Sequence, residues 1–343
     1  MKTFVIAEAG ANHNKDWRLA KKLIYAAASA GASAVKFQNY TSNKLYSKHT
    51  PDFGAYKDIP ELISSIEMPS EWCKELKKIC EDCDLEFMST PFDEEAVELL
   101  YNLGVKRLKI AAFESSDQRL VKRVAQTKLP IIFSAGIGSS LQSIKKTIAT
   151  IREENNEAEI TVLHCNSSYP TPVKDINLGQ MLLIKNEFES VATIGISDHT
   201  EGILIPPVAV ALGARVVEKH FTLSRQLKGP DHPFAIEPDE LYNMCRNIVD
   251  VESSFGTKQG SDLTESESKN EMSFALRSLV AKRKIAIGET LTEQNVTTKR
   301  PYISGNISAK DYYAIVDGKH ESLREIEEDE MLDYSSIKEK TNL

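Results

Sequence analysis

The chain has 343 residues, 41% of them hydrophobic and 27% charged, with a formal net charge of −8. That is the make-up of a globular protein with room for one large domain and a smaller one. The acidic balance argues against a nucleic-acid or membrane-surface binder, which needs a basic face, and no apolar run reaches the ~18 residues of a membrane span. The five cysteines are irregularly spaced, as expected of reduced thiols, and the lone CxxC of Cys80 and Cys83 reads as helix residues rather than a zinc or redox site. The opening MKTFVIAEAGANHN turns polar too early for a signal peptide, so a cytoplasmic protein is expected.

In chain order, FVIAEA (4–9) is a short apolar strand. DWRLAKKLIYAAASAG (16–31) is a helix, with Asp16 as N-cap, Gly31 as its stop, and Leu19, Ala20, Leu23, Ile24 and Ala27 at helical spacing. ASAVKFQ (32–38) is the second strand, followed by a long loop and a helix near 70–83. Strands then recur at 86–90, 107–111, 130–136, 159–165, 191–197 and 215–221. The helices between them cover 93–103, 117–126, 139–154, 177–188 and 202–212, and a last one covers 238–253. The strands are apolar runs rather than alternating ones, as in a parallel sheet covered on both faces. Eight β/α units in about 255 residues predict a closed (β/α)8 TIM barrel over 1–256. A doubly wound open sheet is the alternative, but EAGANHN after the first strand lacks its G-x-G-x-x-G loop. Residues 257–273 are polar and rich in serine and glutamate, the composition of a linker, and 274–343 form a small module of short strands and turns.

A TIM barrel carries its active site at the C-terminal ends of its strands, and here each strand ends in polar residues. These are Glu8; Lys36 and Gln38; Ser89; Lys109; Ser134; His164 running into Asn166, Ser167 and Tyr169; Ser197, Asp198 and His199; and Glu218, Lys219 and His220. Alternation puts Lys36 with Gln38, and Glu218 with His220, on common faces. Taken singly, each has a structural reading: a solvated lysine, a helix-capping serine, a Glu8–Lys36 ion pair. Taken together they define a ligand site. Lys36, Lys109, Ser134 and Ser197 make a cationic, donor-rich pocket suited to phosphate or carboxylate. His199 and His220, on adjacent strand ends, suit a divalent metal with open positions. No four-residue zinc set is present.

IAEAGANHN, GASAVKFQ, STPFD, LKIAAFE, HCNSSYPTP, GISDHT, EKHFT and GPDHPFAIEPDEL together resemble the sialic acid synthase family, and the tail resembles that family's antifreeze-like (SAF) domain. The family includes N-acetylneuraminate, legionaminate and pseudaminate synthases and their spore-coat polysaccharide relatives. The resemblance covers nearly the whole chain. It implies condensation of phosphoenolpyruvate with an N-acyl hexosamine such as N-acetylmannosamine, with release of phosphate. It also implies that His199 and His220 bind Mn2+ or Mg2+, that Lys36, Lys109, Ser134 and Ser197 hold phosphoenolpyruvate, that Ser167 binds substrate, and that Gln38, Tyr169 and Asp231 hold the sugar. Glu8 would act on a proton or water beside the metal. Arg300 and Phe274 would reach the sugar from the SAF domain of a partner chain, in a homodimer with exchanged tails. Two stretches depart from the family pattern. Ala112 stands where many members have serine, with Ser115 or Ser116 as substitutes, and RPYISGNIS replaces a glycine-rich turn. The competing readings are a Schiff-base aldolase or lyase using Lys36 or Lys109, and a catalytically impaired carbohydrate-binding relative.

Overall fold

The computed structural model describes residues 2–52, 57–256, 264–269 and 272–340. They fall into two compact units, Met1–Gly256 and Thr257–Leu343.

The first unit contains eight strands: β1 (Phe4–Gly10), β2 (Ala34–Asn39), β3 (Glu86–Pro91), β4 (Leu108–Ile110), β5 (Ile131–Ala135), β6 (Ile160–Cys165), β7 (Thr193–Asp198) and β8 (Val216–His220). All hydrogen-bonded neighbours are parallel, in the order β3-β2-β1-β8-β7-β6-β5-β4. Strands β3 and β4 approach each other across the remaining seam, so the sheet curls into a barrel. The helices of this unit are α1 (Trp17–Ser29), α2 (Ser42–Leu45), α3 (Ile59–Ile66), α4 (Trp72–Asp82), α5 (Glu94–Asn102), α6 (Gln118–Gln126), α7 (Leu141–Glu154), α8 (Leu178–Phe188), α9 (Ile205–Ala211) and α10 (Pro238–Ser254).

Local chemistry sets their starts. The Asp16 carboxylate accepts from the backbone N–H of Arg18 and Leu19, closing the first turn of α1. Ser140 with Ser143, and Glu237 with Glu240, make reciprocal caps on α7 and α10. The segment read as a long loop after β2 holds α2 and α3. Asp58 caps α3 onto Glu61 N–H and Pro60 sits in its first turn, but the helix is too short to leave a clear periodic stripe.

The outer faces of the strands pack on α-helical stripes through residues such as Leu23, Phe37, Phe87, Phe133, Val162 and Met181. The barrel interior is filled separately by Ile6, Ala34, Met88, Ile132, Leu163 and Val216, with Phe4 against them. At the N-terminal end, the Arg107 guanidinium lies 4.5 Å from the centre of the Phe4 ring and makes bonds of 2.7 and 3.2 Å to Glu86. Gly195 belongs to the apolar layer because nothing larger fits. A Cβ there would lie 2.7 Å from Leu163 Cδ2 and would press on the Val216 carbonyl oxygen. Gly195→Ala should therefore cost ~2–3 kcal/mol by overpacking a site whose neighbours include immovable backbone. Denaturant unfolding checks this, and a change under 0.5 kcal/mol would show that the interior can yield.

In the second unit, α11 (Glu265–Lys269) is helical within the stretch read as a linker. Strands β9 (Ser278–Ala281), β10 (Thr290–Thr292), β11 (Val296–Lys299), β12 (Asp317–Ser322) and β13 (Ile337–Glu339), with α12 (Tyr312–Ile315), enclose their own core. It includes Leu279, Ile285, Leu291, Val296, Ile307 and Leu332. The pairs β9–β11, β10–β12 and β12–β13 are antiparallel. Residues 257–263 and 341–343 lie outside the described residues.

Candidate active site

Strand alternation builds the site. One pleat above Ile6, Ala34, Met88, Ile132, Leu163, Gly195 and Val216, the inward residues are Glu8, Lys36, Thr90, Ser134, Cys165, Ser197 and Glu218. Lys109 joins them from β4, and Gln38 and His220 stand one pleat higher. An apolar floor thus carries a polar ceiling at the C-terminal mouth.

The ceiling is a buried network. Lys36 Nζ is 2.7 Å from Glu8 Oε2 and 3.7 Å from Glu218 Oε2, and it donates to Thr90 Oγ1 at 3.1 Å. Lys109 Nζ donates to Ser134 Oγ at 2.8 Å and to the Ile110 carbonyl at 3.1 Å, and lies 3.5 Å from Glu218 Oε1. Ser197 Oγ donates to Glu218 Oε1 at 3.1 Å, and Gln38 Nε2 donates to Glu8 Oε1 at 3.2 Å. Two lysines and two glutamates, none more than 5% exposed, therefore balance one another.

Their acidities divide. Burial pushes Glu8 up to about 7 despite Lys36, with the neighbouring charge of Glu218 adding to the rise. Burial works the same way on Glu218, but Lys109, Lys36 and the Ser197 hydrogen bond outweigh it and hold that carboxyl below its usual range. Burial lowers Lys109, while Lys36 stays above the usual lysine value because Glu218 and Glu8 more than offset its burial. One carboxyl is thus poised to exchange a proton near neutrality while the other remains an anion, the separation that acid–base chemistry uses.

The histidines stand beside this network. Their ring centres are 5.3 Å apart, with Tyr169 4.2 Å from His199 and Phe234 5.1 Å from His220. His199 Nδ1 is 2.7 Å from the Asn166 carbonyl, which makes Nδ1 the protonated nitrogen and leaves Nε2 a lone pair. His220 Nδ1 is buried without a hydrogen-bond partner, and Asp231 Oδ2 stands 3.5 Å from it. Burial keeps both rings neutral, lowering His199 and lowering His220 well below the ordinary value. Burial also raises Asp231 to about 6. No group of three or more His, Cys, Asp or Glu side chains among the described residues is arranged to hold a metal ion, so the histidine pair is at most a partial ligand set.

The structure brings Glu8, Lys36, Gln38, Lys109, Ser134, Ser197, His199, His220, Asp231 and Tyr169 to one mouth. Ser167 borders it, its Oγ accepting from Ile137 N–H at 3.1 Å. Four strand-end residues point the other way. Ser89 faces outward on β3, His164 bonds the Ile176 carbonyl at 2.6 Å behind β6, and Lys219 pairs with Asp198 behind β8. Ser115 Oγ donates to the Ala112 carbonyl and Ser116 Oγ to that of Phe113, so each hydroxyl is committed to its own turn. Phe274 and Arg300 are exposed residues of the second unit. Thr90 and Cys165 were missed, although each lies two positions beyond an inward apolar residue and alternation alone would have found them.

The ANHN loop braces β1 against β8. Asn12 Nδ2 donates to the Phe221 carbonyl at 2.9 Å, and buried His13 accepts from Lys15 N–H at 3.0 Å with Trp72 edge-on to its ring. Burial, then Lys15, lowers His13 to about 4. The unfolded chain binds this proton below about 6.5 and the folded chain does not until about 4, so stability is lost as pH falls through that window. His13→Gln should be less acid-sensitive than the parent by about 2 kcal/mol between pH 7.5 and 5. Urea unfolding at both pH values checks this, and identical pH slopes would contradict it.

The fold and site define a TIM barrel whose C-terminal mouth gathers two buried lysines and two buried glutamates beside a histidine pair. The chain belongs to the NeuB family: the family model matches residues 23–260, and a SAF domain model matches 277–338. It is 40% identical over 321 residues to N,N'-diacetyllegionaminic acid synthase of Campylobacter jejuni, covering 91% of this chain and 93% of that relative. It is 38% identical over 307 residues to pseudaminic acid synthase of the same organism, covering 88% of each. Among solved structures, N-acetylneuraminic acid (sialic acid) synthetase from Leptospira borgpetersenii matches with a TM-score of 0.70 at 33% identity, covering 79% of this chain and 90% of that one.

Proposed function

We propose that this chain condenses phosphoenolpyruvate with the open-chain form of an N-acyl hexosamine, giving a nine-carbon 2-keto sugar acid and phosphate. The observation that carries the reading is the pair of buried lysines, Lys36 and Lys109, held among Glu8, Glu218, Ser134 and Ser197 beside His199 and His220. The names of the relatives support it.

Lys36 and Lys109, with Ser134, Ser167, Ser197 and Thr90, hold the phosphate and carboxylate of phosphoenolpyruvate, whose charge is otherwise costly to bury. Gln38, Tyr169 and Asp231 orient the sugar. His199 and His220 fit a divalent cation, Mn2+ or Mg2+: both are neutral, one nitrogen lone pair is freed by the Asn166 carbonyl, and one buried nitrogen lacks a partner. Bound there, such a cation supplies Lewis-acid polarisation of the sugar aldehyde. Carbon 3 of phosphoenolpyruvate attacks the aldehyde carbon, and the new alkoxide takes a proton. Water adds at carbon 2 and phosphate leaves by C–O cleavage. Glu8, titrating near 7, moves the proton. Arg300 and Phe274 complete the sugar pocket from the second unit of a partner chain in a homodimer, a proposal that full activity of a sedimenting monomer would contradict. The enzyme works in the cytoplasm, and among the described residues no helix is long and apolar enough to cross a membrane.

A phosphate-release screen tests this with a panel of N-acyl hexosamines, Mn2+, Mg2+ and chelator. Release is expected only with an acceptor sugar and a metal, and sugar-independent release or full activity in chelator would contradict it. The lowered basicity of Lys109 favours one second reading, a Schiff-base lyase. Its contacts with Ser134, the Ile110 carbonyl and Glu218 speak for an anion-binding ammonium instead, and borohydride trapping with a keto acid separates the two.

A further inference from the structure

We infer that the buried ion pair Asp198–Lys219, on the outer face of the barrel, is a positioning device that sets His199 and His220 for a divalent cation. The inference rests on the metal reading above. Asp198 and Lys219 are register partners across β7 and β8, and each immediately precedes one of the two histidines. Their side chains point away from the mouth, meet at 2.7 Å and are about 1% exposed.

The contacts wrap His199. Asp198 Oδ1 accepts from Thr200 N–H at 3.0 Å and Oδ2 accepts from Thr200 Oγ1 at 3.0 Å, so residues 198–200 form a closed turn with His199 at its centre. Lys219 Nζ donates to Asp198 Oδ2 and to the Thr200 carbonyl, gripping both ends of that turn. The far side is held as well: the His199 carbonyl accepts from Thr171 N–H at 2.9 Å, and the His220 carbonyl accepts from Ile236 N–H at 3.0 Å. One ammonium thereby ties the backbone beside His220 to the turn that carries His199.

Energetics argue for position rather than stability. The same outer layer is mostly apolar, with Phe37, Ile110, Phe133 and Val162 alongside the outward-facing Ser89 and His164. Desolvating an ion pair in such a layer returns little or no net stability compared with apolar residues of similar volume. What the pair provides is directionality, which an apolar contact lacks. Groups that orient metal-binding histidines without touching the metal typically account for 10–100-fold in affinity.

The test uses the full chain and Mn2+ alone, with binding read by electron paramagnetic resonance. The double variant Asp198→Leu/Lys219→Met removes both charges and keeps the volume. It is expected to melt several degrees below the parent, because buried Thr200 loses the partners of its N–H, hydroxyl and carbonyl, yet to bind phosphoenolpyruvate within about twofold of it and Mn2+ 10–100-fold more weakly. If the double variant does not fold, Thr200→Val decides, since it removes only the hydroxyl bond to Asp198 and is expected to weaken Mn2+ several-fold. Lys219→Arg, which keeps a donor fork for Asp198 and the Thr200 carbonyl, is expected to recover part of the affinity. Unchanged Mn2+ affinity in a folded variant would overturn the inference, as would an equal loss of Mn2+ and phosphoenolpyruvate binding. Failure of the parent to bind Mn2+ would instead overturn the metal reading itself.

Discussion

Lys109→Met is expected to lower kcat/KM for phosphoenolpyruvate about 10³-fold while leaving the KM for the sugar nearly unchanged. Lys109 is fully buried, and its ammonium reaches Ser134, the Ile110 carbonyl and Glu218 at 2.8, 3.1 and 3.5 Å. Methionine preserves the stem that packs at the barrel's inner wall and deletes only the charge. Losing one partner of a buried charged interaction costs ~3–5 kcal/mol, and each 1.36 kcal/mol is about tenfold in rate. Glu218 would keep Ser197 and, more distantly, Lys36, so its own charge remains but no longer faces a second cation. Steady-state kinetics with both substrates varied makes the comparison. A loss below tenfold would show that Lys36 alone carries the anion.

His220→Leu is expected to abolish metal-dependent turnover, by at least about 10³-fold, without weakening the apo fold. His220 Nδ1 is buried and unpartnered, and the ring is held neutral at the mouth. A polar atom in that state costs ~1–3 kcal/mol, so an apolar side chain of similar volume should leave the apo protein as stable or more so. Loss of activity with a retained or raised Tm is the signature of a residue kept for function. Calorimetry without metal, together with phosphate release, checks both halves. A variant that loses stability and activity together would assign His220 to the core instead.

Much of this was readable before the structure, and the reason is periodicity. Apolar strands near 30-residue spacing left few alternatives to a barrel, and the barrel then gathered Glu8, Lys36, Lys109, Ser197 and His220 at one end. What the strand ends alone did not show was side-chain facing. Ser89, His164 and Lys219 fall one position out of phase with Met88, Leu163 and Glu218, and so they leave the mouth. Thr90 and Cys165 are in phase and enter it. The proton-level division between Glu8 and Glu218 was also hidden, because it depends on distances to two lysines from other strands. So was helix α3, whose eight residues form too short a stripe to stand out in a polar stretch. Relations through space across strands β7 and β8, such as the grip of Lys219 on the 198–200 turn, have no trace in local composition.

The most direct measurement of the central claim is product analysis by mass spectrometry after reaction in H₂¹⁸O with phosphoenolpyruvate, Mn2+ and an accepted N-acyl hexosamine. The expected result is a nine-carbon keto acid formed in equal amount with phosphate, with ¹⁸O in the sugar acid and none in the phosphate. Unlabelled phosphate places the cleavage at the C–O bond rather than the P–O bond, as proposed for the barrel mouth. Labelled phosphate, or phosphate released without an equal amount of sugar acid, would contradict it.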